Sequence, residues 1–400
     1  MWAVPAECEV LLRGAARRMP STEDLARINA LTVGPFDWNR CRVLASHHGI
    51  TPLVVRALST SGTGTCPPDI WNHMMEERQA IAFENLSATA ELLGIIGDLD
   101  EAGIRALAVK GPVAGIALYG DVGLRPFLDL DVLVDPENRD RAIERLAARG
   151  YQPLFNLDAV GWGRYFRRYI EMTFVHPQTG VAVDLHWALL DPRYRCSAVL
   201  AGCHERAVTL RVGERQVRTL CPDDMLVYSL LHAAKHQWRL LRFLVDVKLL
   251  IDEHDDLDWR AIALAVARTP GCRRPMAVGC RLVGLLFGSS VSGLAADWIT
   301  GDARADELAR EVFRFLTSPD VPVPGLPWPW RQRFYRSLSP RDRLRYTYQT
   351  LLAPTPLEWI AAPLPEWLGW LYPAVRIVRL TAKHAWPWRW RWQASGMRPA

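Results

Sequence analysis

The sequence predicts an α+β fold, a small mixed sheet module set between helical regions. Three observations lead there. The chain has 400 residues, 50% of them apolar and 23% charged. That is a soluble globular profile, long enough for two or three domains and for a core that needs neither disulfide nor metal staples. Residues 103–200 alternate short apolar runs with short helical patterns, whereas both flanks carry apolar residues at helical spacing. The division that follows is a helical region over 1–75, the sheet module over 76–200, a second helical region over 201–318, and a Pro/Trp/Arg-rich arm over 319–400.

Taken in order, residues 1–60 read as helices. Leu11 and Leu12, then Leu25, Ile28 and Leu31, then Val43, Leu44 and the run 53–58 recur at helical spacing, with Pro35 and Pro52 as punctuation. A Ser/Thr/Gly/Pro-rich break covers 59–68. A long helix is expected over 70–102, where Leu86, Leu92, Leu93, Ile96 and Leu99 lie at helical spacing. Next come an apolar strand over 105–110, a short helix over 112–119 with proline at its first position, and a strand over 128–134. Asp135 and Pro136 open a helix that Gly150 ends. Residues 172–176 and 181–187 form a hairpin around 177–180. After 220 the pattern is helical again, and the proline-rich stretch 318–330 reads as an extended linker.

The net charge of +5 is unevenly placed. Residues 367–400 hold six basic residues and no acid, so the basic character belongs to the arm and the body offers no nucleic-acid-coating surface. Of 48 basic residues only Lys110, Lys235, Lys248 and Lys383 are lysines, and a compact ammonium does different work from a guanidinium. The eight cysteines (8, 41, 66, 196, 203, 221, 272, 280) contain no Cys-x-x-Cys pair. They read as reduced thiols of a cytoplasmic protein without a secretory signal. No Gly-x-Ser-x-Gly, His-Glu-x-x-His or Walker motif occurs, which removes serine hydrolases, zinc proteases and P-loop kinases.

The most informative segment is 125–134, RPFLDLDVLV. On a strand, residues two apart share a face, so Asp129 and Asp131 point one way and Leu128, Leu130, Val132 and Val134 the other. Two carboxylates on an apolar strand cost free energy that a divalent cation offsets. For an isolated Asp-x-Asp, a strand end dipping into solvent is the ordinary reading. A third acid changes the balance. In VAVDLHW, Val181, Val183, Leu185 and Trp187 form the apolar face, leaving Asp184 and His186 on the other. Acids from neighbouring strands suit two magnesium ions, which complete their shells with water and substrate phosphates. Upstream, Lys110-Gly111-Pro112 joins a strand to a helix N-terminus, a place that favours phosphate, although an ordinary strand–helix turn reads the same way. Arg125 stands where it would hold a triphosphate or pair with the acids. His186 would contact substrate, act as a base, or simply bond near a charged site. His47 and His48 lie in a helical segment away from the module and read as structural or surface.

The four blocks LAVKGPVAGIALYGDVGLRPFLDLDVLV, RLAARGY, VAVDLHW and HAAKHQWRLLRFLVDVKLLI, in this order, resemble the bacterial family labelled uncharacterised nucleotidyltransferase, within the polymerase beta-like nucleotidyltransferase superfamily. The resemblance covers roughly residues 85–252. It implies Asp129, Asp131 and Asp184 as metal-binding and catalytic acids, with Lys110 and Gly111 in the substrate-side turn. The superfamily's Gly-Ser turn is here Lys-Gly-Pro, so a serine hydroxyl that usually meets a phosphate is missing. The activity implied is magnesium-dependent transfer of a nucleoside monophosphate from an NTP such as ATP to an acceptor hydroxyl, on a small molecule or peptide rather than nucleic acid. A non-catalytic nucleotide-binding protein and a toxin-type transferase acting on RNA or protein are the alternatives.

Beyond Pro222, His232, Lys235, His236, Arg239, Arg242 and Asp246 are spaced 3, 1, 3, 3 and 4 apart, which places them on one helical face. Either that stripe is solvated or it faces the cleft. In the latter case Lys235 contacts the triphosphate or acceptor and Asp246 orients a cation beside it. The chain has 17 tryptophans, many of them late, and WPWRWRW near the end alternates rings with guanidiniums. Such an arm suits an anionic membrane surface, with stacking on single-stranded nucleic acid or docking on a protein partner as rival uses. The plainer alternative packs the tryptophans back on the body. No transmembrane segment is expected, since Pro363, Pro365, Glu366 and Pro373 interrupt the long apolar stretch of the arm.

Overall fold

The structure is a computed structural model that describes residues 4–62, 64–191, 196–269, 271–288, 301–318, 338 and 340–385. The linker tryptophans Trp328 and Trp330 and the WPWRWRW segment lie outside the described residues.

The N-terminal helices α1 (Ala6–Ala15), α2 (Thr22–Thr32), α3 (Trp38–His48) and α4 (Thr51–Ser61) form where the spacing places them. A capping box starts α2: the Ser21 hydroxyl accepts from the Asp24 amide and the Asp24 carboxylate accepts from the Ser21 amide. Gly49 ends α3 at φ 67°, and a Cβ there would sit 2.9 Å from Arg242 Cδ, so glycine is needed for both conformation and space. The long α5 (Pro68–Glu101) ties two cores together. Met74 joins the helical core, while Leu92, Ile95 and Leu99 join the core beneath the sheet. Leu86, expected on the apolar face, is 59% exposed. By length and composition α5 would suffice to cross a membrane, with a mean hydropathy of 1.2 over its best window, a test that core helices of soluble proteins also pass. Here its Asn85 donates to the carbonyls of Val122 and Arg125, and Glu91 and Asp98 pair with Arg149.

Strands β1 (Ala106–Ala108), β2 (Asp129–Val134), β3 (Gln152–Pro153), β4 (Glu171–Val175) and β5 (Ala182–His186) make one sheet in the order β1-β2-β5-β4-β3. β2 and β5 run parallel and the other pairings are antiparallel. Between β1 and β2, α6 (Pro112–Ala114) is a single turn continued by a π-helical turn to Tyr119, not one regular helix. Leu128, expected on the buried face of β2, precedes the strand and is 69% exposed. Helices α7 (Arg139–Ala148) and α8 (Ala159–Arg168) follow β2 and β3.

Two corrections concern the stretch after 200. Residues expected to be helical from 201 onward include a hairpin, β6 (Val208–Val212) with β7 (Arg215–Thr219), turned at Gly213. The stripe from His232 to Asp246 does not lie on one helix. It is split between α9 (Pro222–Lys235) and α10 (Leu241–Glu253). The break is a Schellman closure: the Trp238 amide donates to Ala233 O and the Gln237 amide to Ala234 O. Gln237 and Trp238 take left-handed φ values of 62° and 51°, each costing about 1–3 kcal/mol. Trp238 is wholly buried, and seating an indole is worth about 3–5 kcal/mol, which offsets that strain. Helices α11 (Trp259–Arg268), α12 (Arg273–Phe287) and α13 (Ala303–Leu316) complete the helical core.

In the arm, α15 (Pro356–Ala361) and α16 (Tyr372–Ala385) dock on the sheet module, whereas Tyr346 of α14 (Pro340–Leu351) packs against the helical core. Arg164 of α8 donates to the carbonyls of Leu364 and Pro365 and to the Tyr372 hydroxyl. Trp359 is buried against Tyr169, whereas Trp367 and Trp370 stay exposed.

Candidate functional site

Parallel pairing of β2 with β5 sets the site. The register puts Asp131 opposite Asp184 and Asp129 opposite Ala182, so the carboxylates of Asp131 and Asp184 project side by side. His186 follows two residues on. One ligand atom from each of Asp131, Asp184 and His186 falls within 4.8 Å of the others. Asp129 stands one pleat back from this group.

Asp131 is the most buried of these acids. Its Oδ1 accepts from Lys110 Nζ at 3.1 Å and from His186 Nε2 at 3.0 Å, while Oδ2 is buried without a hydrogen-bond partner. Burial alone would push the Asp131 carboxyl up, but the Lys110 charge and the His186 bond outweigh it and hold it well below the usual range. Reciprocally, Asp131 holds Lys110 protonated despite its burial, and keeps His186 above its ordinary value together with Glu171. Asp129 goes the other way. Burial and then the Asp131 charge push it up to about 6. Burial raises Asp184 as well, in spite of the Thr173 hydroxyl that donates to its Oδ1 at 2.6 Å.

Lys110 closes the ring. Gly111, at φ 58° and ψ −125°, turns the chain after β1 in a conformation open to glycine alone. That turn delivers the ammonium between Asp131 and His232, whose Nε2 lies 3.3 Å away, and over the Tyr228 ring. Burial and the Lys110 charge keep His232 neutral, its value well below normal, so its Nε2 accepts a hydrogen bond from the Lys110 ammonium. His236 is pushed down to about 3 by burial and then by Lys235, and its ring stacks on Phe243 of α10. Lys235 Nζ lies 3.9 Å from Glu171 Oε1, with its side chain 55% exposed.

Arg125 and Asp246 sit differently from the expectation. Arg125 does not offer its guanidinium to a phosphate. Its Nη2 and Nε fork onto the Asp246 carboxylate at 2.8 and 3.0 Å, and the Tyr119 hydroxyl donates to the same carboxylate at 2.6 Å. Asp246 is therefore filled by a guanidinium and a phenol and orients no cation beside Lys235. His48, as read, is structural: it is buried and its Nδ1 accepts from the Leu241 amide at the start of α10.

The sequence reading missed Glu171 and Thr173. The β4–β5 register places Thr173 opposite Asp184 and Glu171 opposite His186; Glu171 Oε2 is 3.3 Å from His186 Nδ1. Counting back across the hairpin turn would have found both. Beside Glu171 opens a cavity of about 170 Å³ walled by Ile170, Leu189, Tyr228, Leu231, His232 and Lys235. The arrangement combines clustered carboxylates, cations adjoining them, and an apolar recess next to both.

A family model described as uncharacterised nucleotidyltransferase matches residues 34–288 of the chain. No curated protein matches it. Among solved structures, an antigenic nucleotidyltransferase-like protein from Paracoccidioides brasiliensis is similar with a TM-score of 0.29 and 14% identity, over 48% of this chain and 91% of that one.

Proposed function

The chain belongs to the uncharacterised nucleotidyltransferase family, and we propose that it moves a nucleoside monophosphate from an NTP to an acceptor hydroxyl, releasing pyrophosphate, with magnesium held by Asp129, Asp131 and Asp184. Nucleotidyl transfer is the activity of the family. The metal, the donor and the acceptor are our reading. One observation carries it: Asp131 and Asp184 are opposed across parallel strands, and a buried carboxylate oxygen of Asp131 is left without a partner.

These residues suit a hard divalent cation. The donors are carboxylate oxygens, and two of the acids are pushed up by burial and mutual repulsion that a positive ion would relieve. Bound there, magnesium would supply charge to offset that on the attacking oxygen and the departing pyrophosphate. The protein groups do the rest. His186 fixes the Asp131 carboxylate by its hydrogen bond, and Glu171 braces His186 from behind. Lys110 keeps Asp131 ionised and, at the Gly111 turn, stands nearest to an incoming phosphate. Asp184, oriented at one oxygen by the Thr173 hydroxyl, is the base for the acceptor proton. The free thiols at all eight cysteines support a reducing, cytoplasmic setting.

The test is to incubate the protein with each α-labelled NTP, ATP first, together with magnesium and cell extract, and to follow the label. Label should move to an acceptor, and should not move with EDTA or in Asp131→Asn. Transfer that survives both would refute the site.

A further inference from the structure

The outer face of the arm is reversed in polarity for a helix that meets only water. On α16 two arginines turn inward: Arg376, 9% exposed, and Arg379 both bond to Glu358, which is wholly buried. The residues turned outward are apolar apart from Thr381, whose hydroxyl bonds back to the carbonyls of Ile377 and Val378. Ile377 and Val378 are 47% and 66% exposed and lie on one stripe with Ala374 and Ala382. The segments packed against α16 continue the pattern. Trp367 and Trp370 are 76% and 72% exposed, and Leu357 and Ile360 of α15 about half exposed. Single exposed apolar residues need no explanation, but a contiguous set rimmed by charge marks an interaction surface.

The charge around this face narrows the partner. Over residues 356–400 the acids are Glu358 and Glu366. Glu358 is consumed by its arginines, and Glu366 pairs with Arg167 of α8 at 3.2 Å. The chain beyond Ala385 adds Arg389, Arg391 and Arg398, with tryptophan at 386, 388, 390 and 392, and no acid. A face of exposed indoles and aliphatic side chains, with its acids paired to arginines and continuing into a chain end that is basic without acids, complements a surface that is apolar within and anionic outside. Indole rings favour headgroup depth, where the ring is buried and its N–H stays wet.

We propose that this face of the arm docks on an anionic lipid bilayer. The Ile377–Val378 stripe and the rings of Trp367 and Trp370 lie at the headgroup boundary, and the net positive charge of residues 386–400 adds attraction to the lipid phosphates. This is peripheral attachment: α16 has 14 residues, and spanning needs about 20. The inference does not depend on the transfer reaction.

Flotation of the full-length chain with vesicles decides it. The protein should float with phosphatidylcholine vesicles containing phosphatidylglycerol, and stay down with phosphatidylcholine alone. Trp367→Ser/Trp370→Ser should lower the vesicle-bound fraction at least about tenfold, since losing two buried rings removes more than about 1.4 kcal/mol, with the melting temperature unchanged. Val378→Glu, which sets a carboxylate on the same stripe, should act the same way and serves if the double variant melts lower. A chain ending at Ala385 should bind more weakly but still float. Three results overturn the proposal: no flotation with anionic vesicles, flotation that neither variant weakens, or binding that vanishes only on truncation. Dimerisation in vesicle-free solution that the variants abolish, without vesicle binding, would assign the face to a second copy instead and overturns it equally.

Discussion

Asp246 and Asp131 are both buried carboxylates facing a basic side chain, yet they are built to opposite ends. At Asp246 both oxygens are filled, by the Arg125 fork and the Tyr119 hydroxyl, and α10 is thereby locked to the turn before β2. At Asp131 both donors fall on one oxygen, the other has none, and further carboxylates crowd alongside. A completed network rigidifies a structure, whereas a half-satisfied one is costly unless something else completes it. The contrast separates scaffold from site among residues of the same chemical type.

The strongest way to break that contrast is to remove the scaffold acid. Asp246→Ala should cost about 3–5 kcal/mol in denaturant unfolding, because it strands a buried guanidinium. Asp131→Asn keeps the side-chain shape and leaves Lys110 its second partner His232, so it should cost less stability. If the two lose equal stability, the distinction fails. In the reverse direction, Asp131→Asn should lower transfer by more than about a hundredfold, a loss beyond that for groups that merely orient a ligand, when initial rates are measured with saturating nucleotide.

A neutral buried group sharpens the comparison through pH. Burial, and then the His47 charge, push His48 down to about 3, while the unfolded side chain titrates near 6.5. Protonation therefore favours the unfolded chain. Stability from this group is level above about 6.5 and falls as pH drops from there toward 3, by about 1.4 kcal/mol per pH unit for one proton. His48→Gln should show a flatter acid limb in melting temperature against pH; an unchanged limb would place the acid sensitivity elsewhere. The smallest effect is expected at Lys235, which is exposed and only loosely paired with Glu171. Lys235→Ala should raise the nucleotide half-saturation by up to about fivefold with melting unaltered, and a change in melting alone would return Lys235 to a structural role.

The strand elements of the site could be read from alternation. Asp129, Asp131, Asp184 and His186 stand on apolar strands with a period of two, and no other local pattern explains them. Glu171 and Thr173 carry no signal of their own, and acquire meaning only from the register across the 177–180 turn. Arg125 and Asp246 are 121 residues apart, and nothing local pairs an arginine with an acid at that distance. Helical counting ran across residues 236–240 because the left-handed corner is filled by glutamine and tryptophan, not by glycine or asparagine that would mark it. The hairpin at 208–219 had its signal, alternation around Gly213, but its strands are half exposed and merged into the helical flank.

The contacts of Arg164 carry a consequence for how the protein is made. Its partners in the arm lie 200 and more positions later in the chain. At about 5–20 residues per second, a ribosome needs roughly 10–40 s to supply them. Through that interval the nascent module is free to form, while the Tyr169 surface that will receive Trp359 stays uncovered. Synthesis thus presents an aromatic patch to chaperones well before the segment that buries it has been translated.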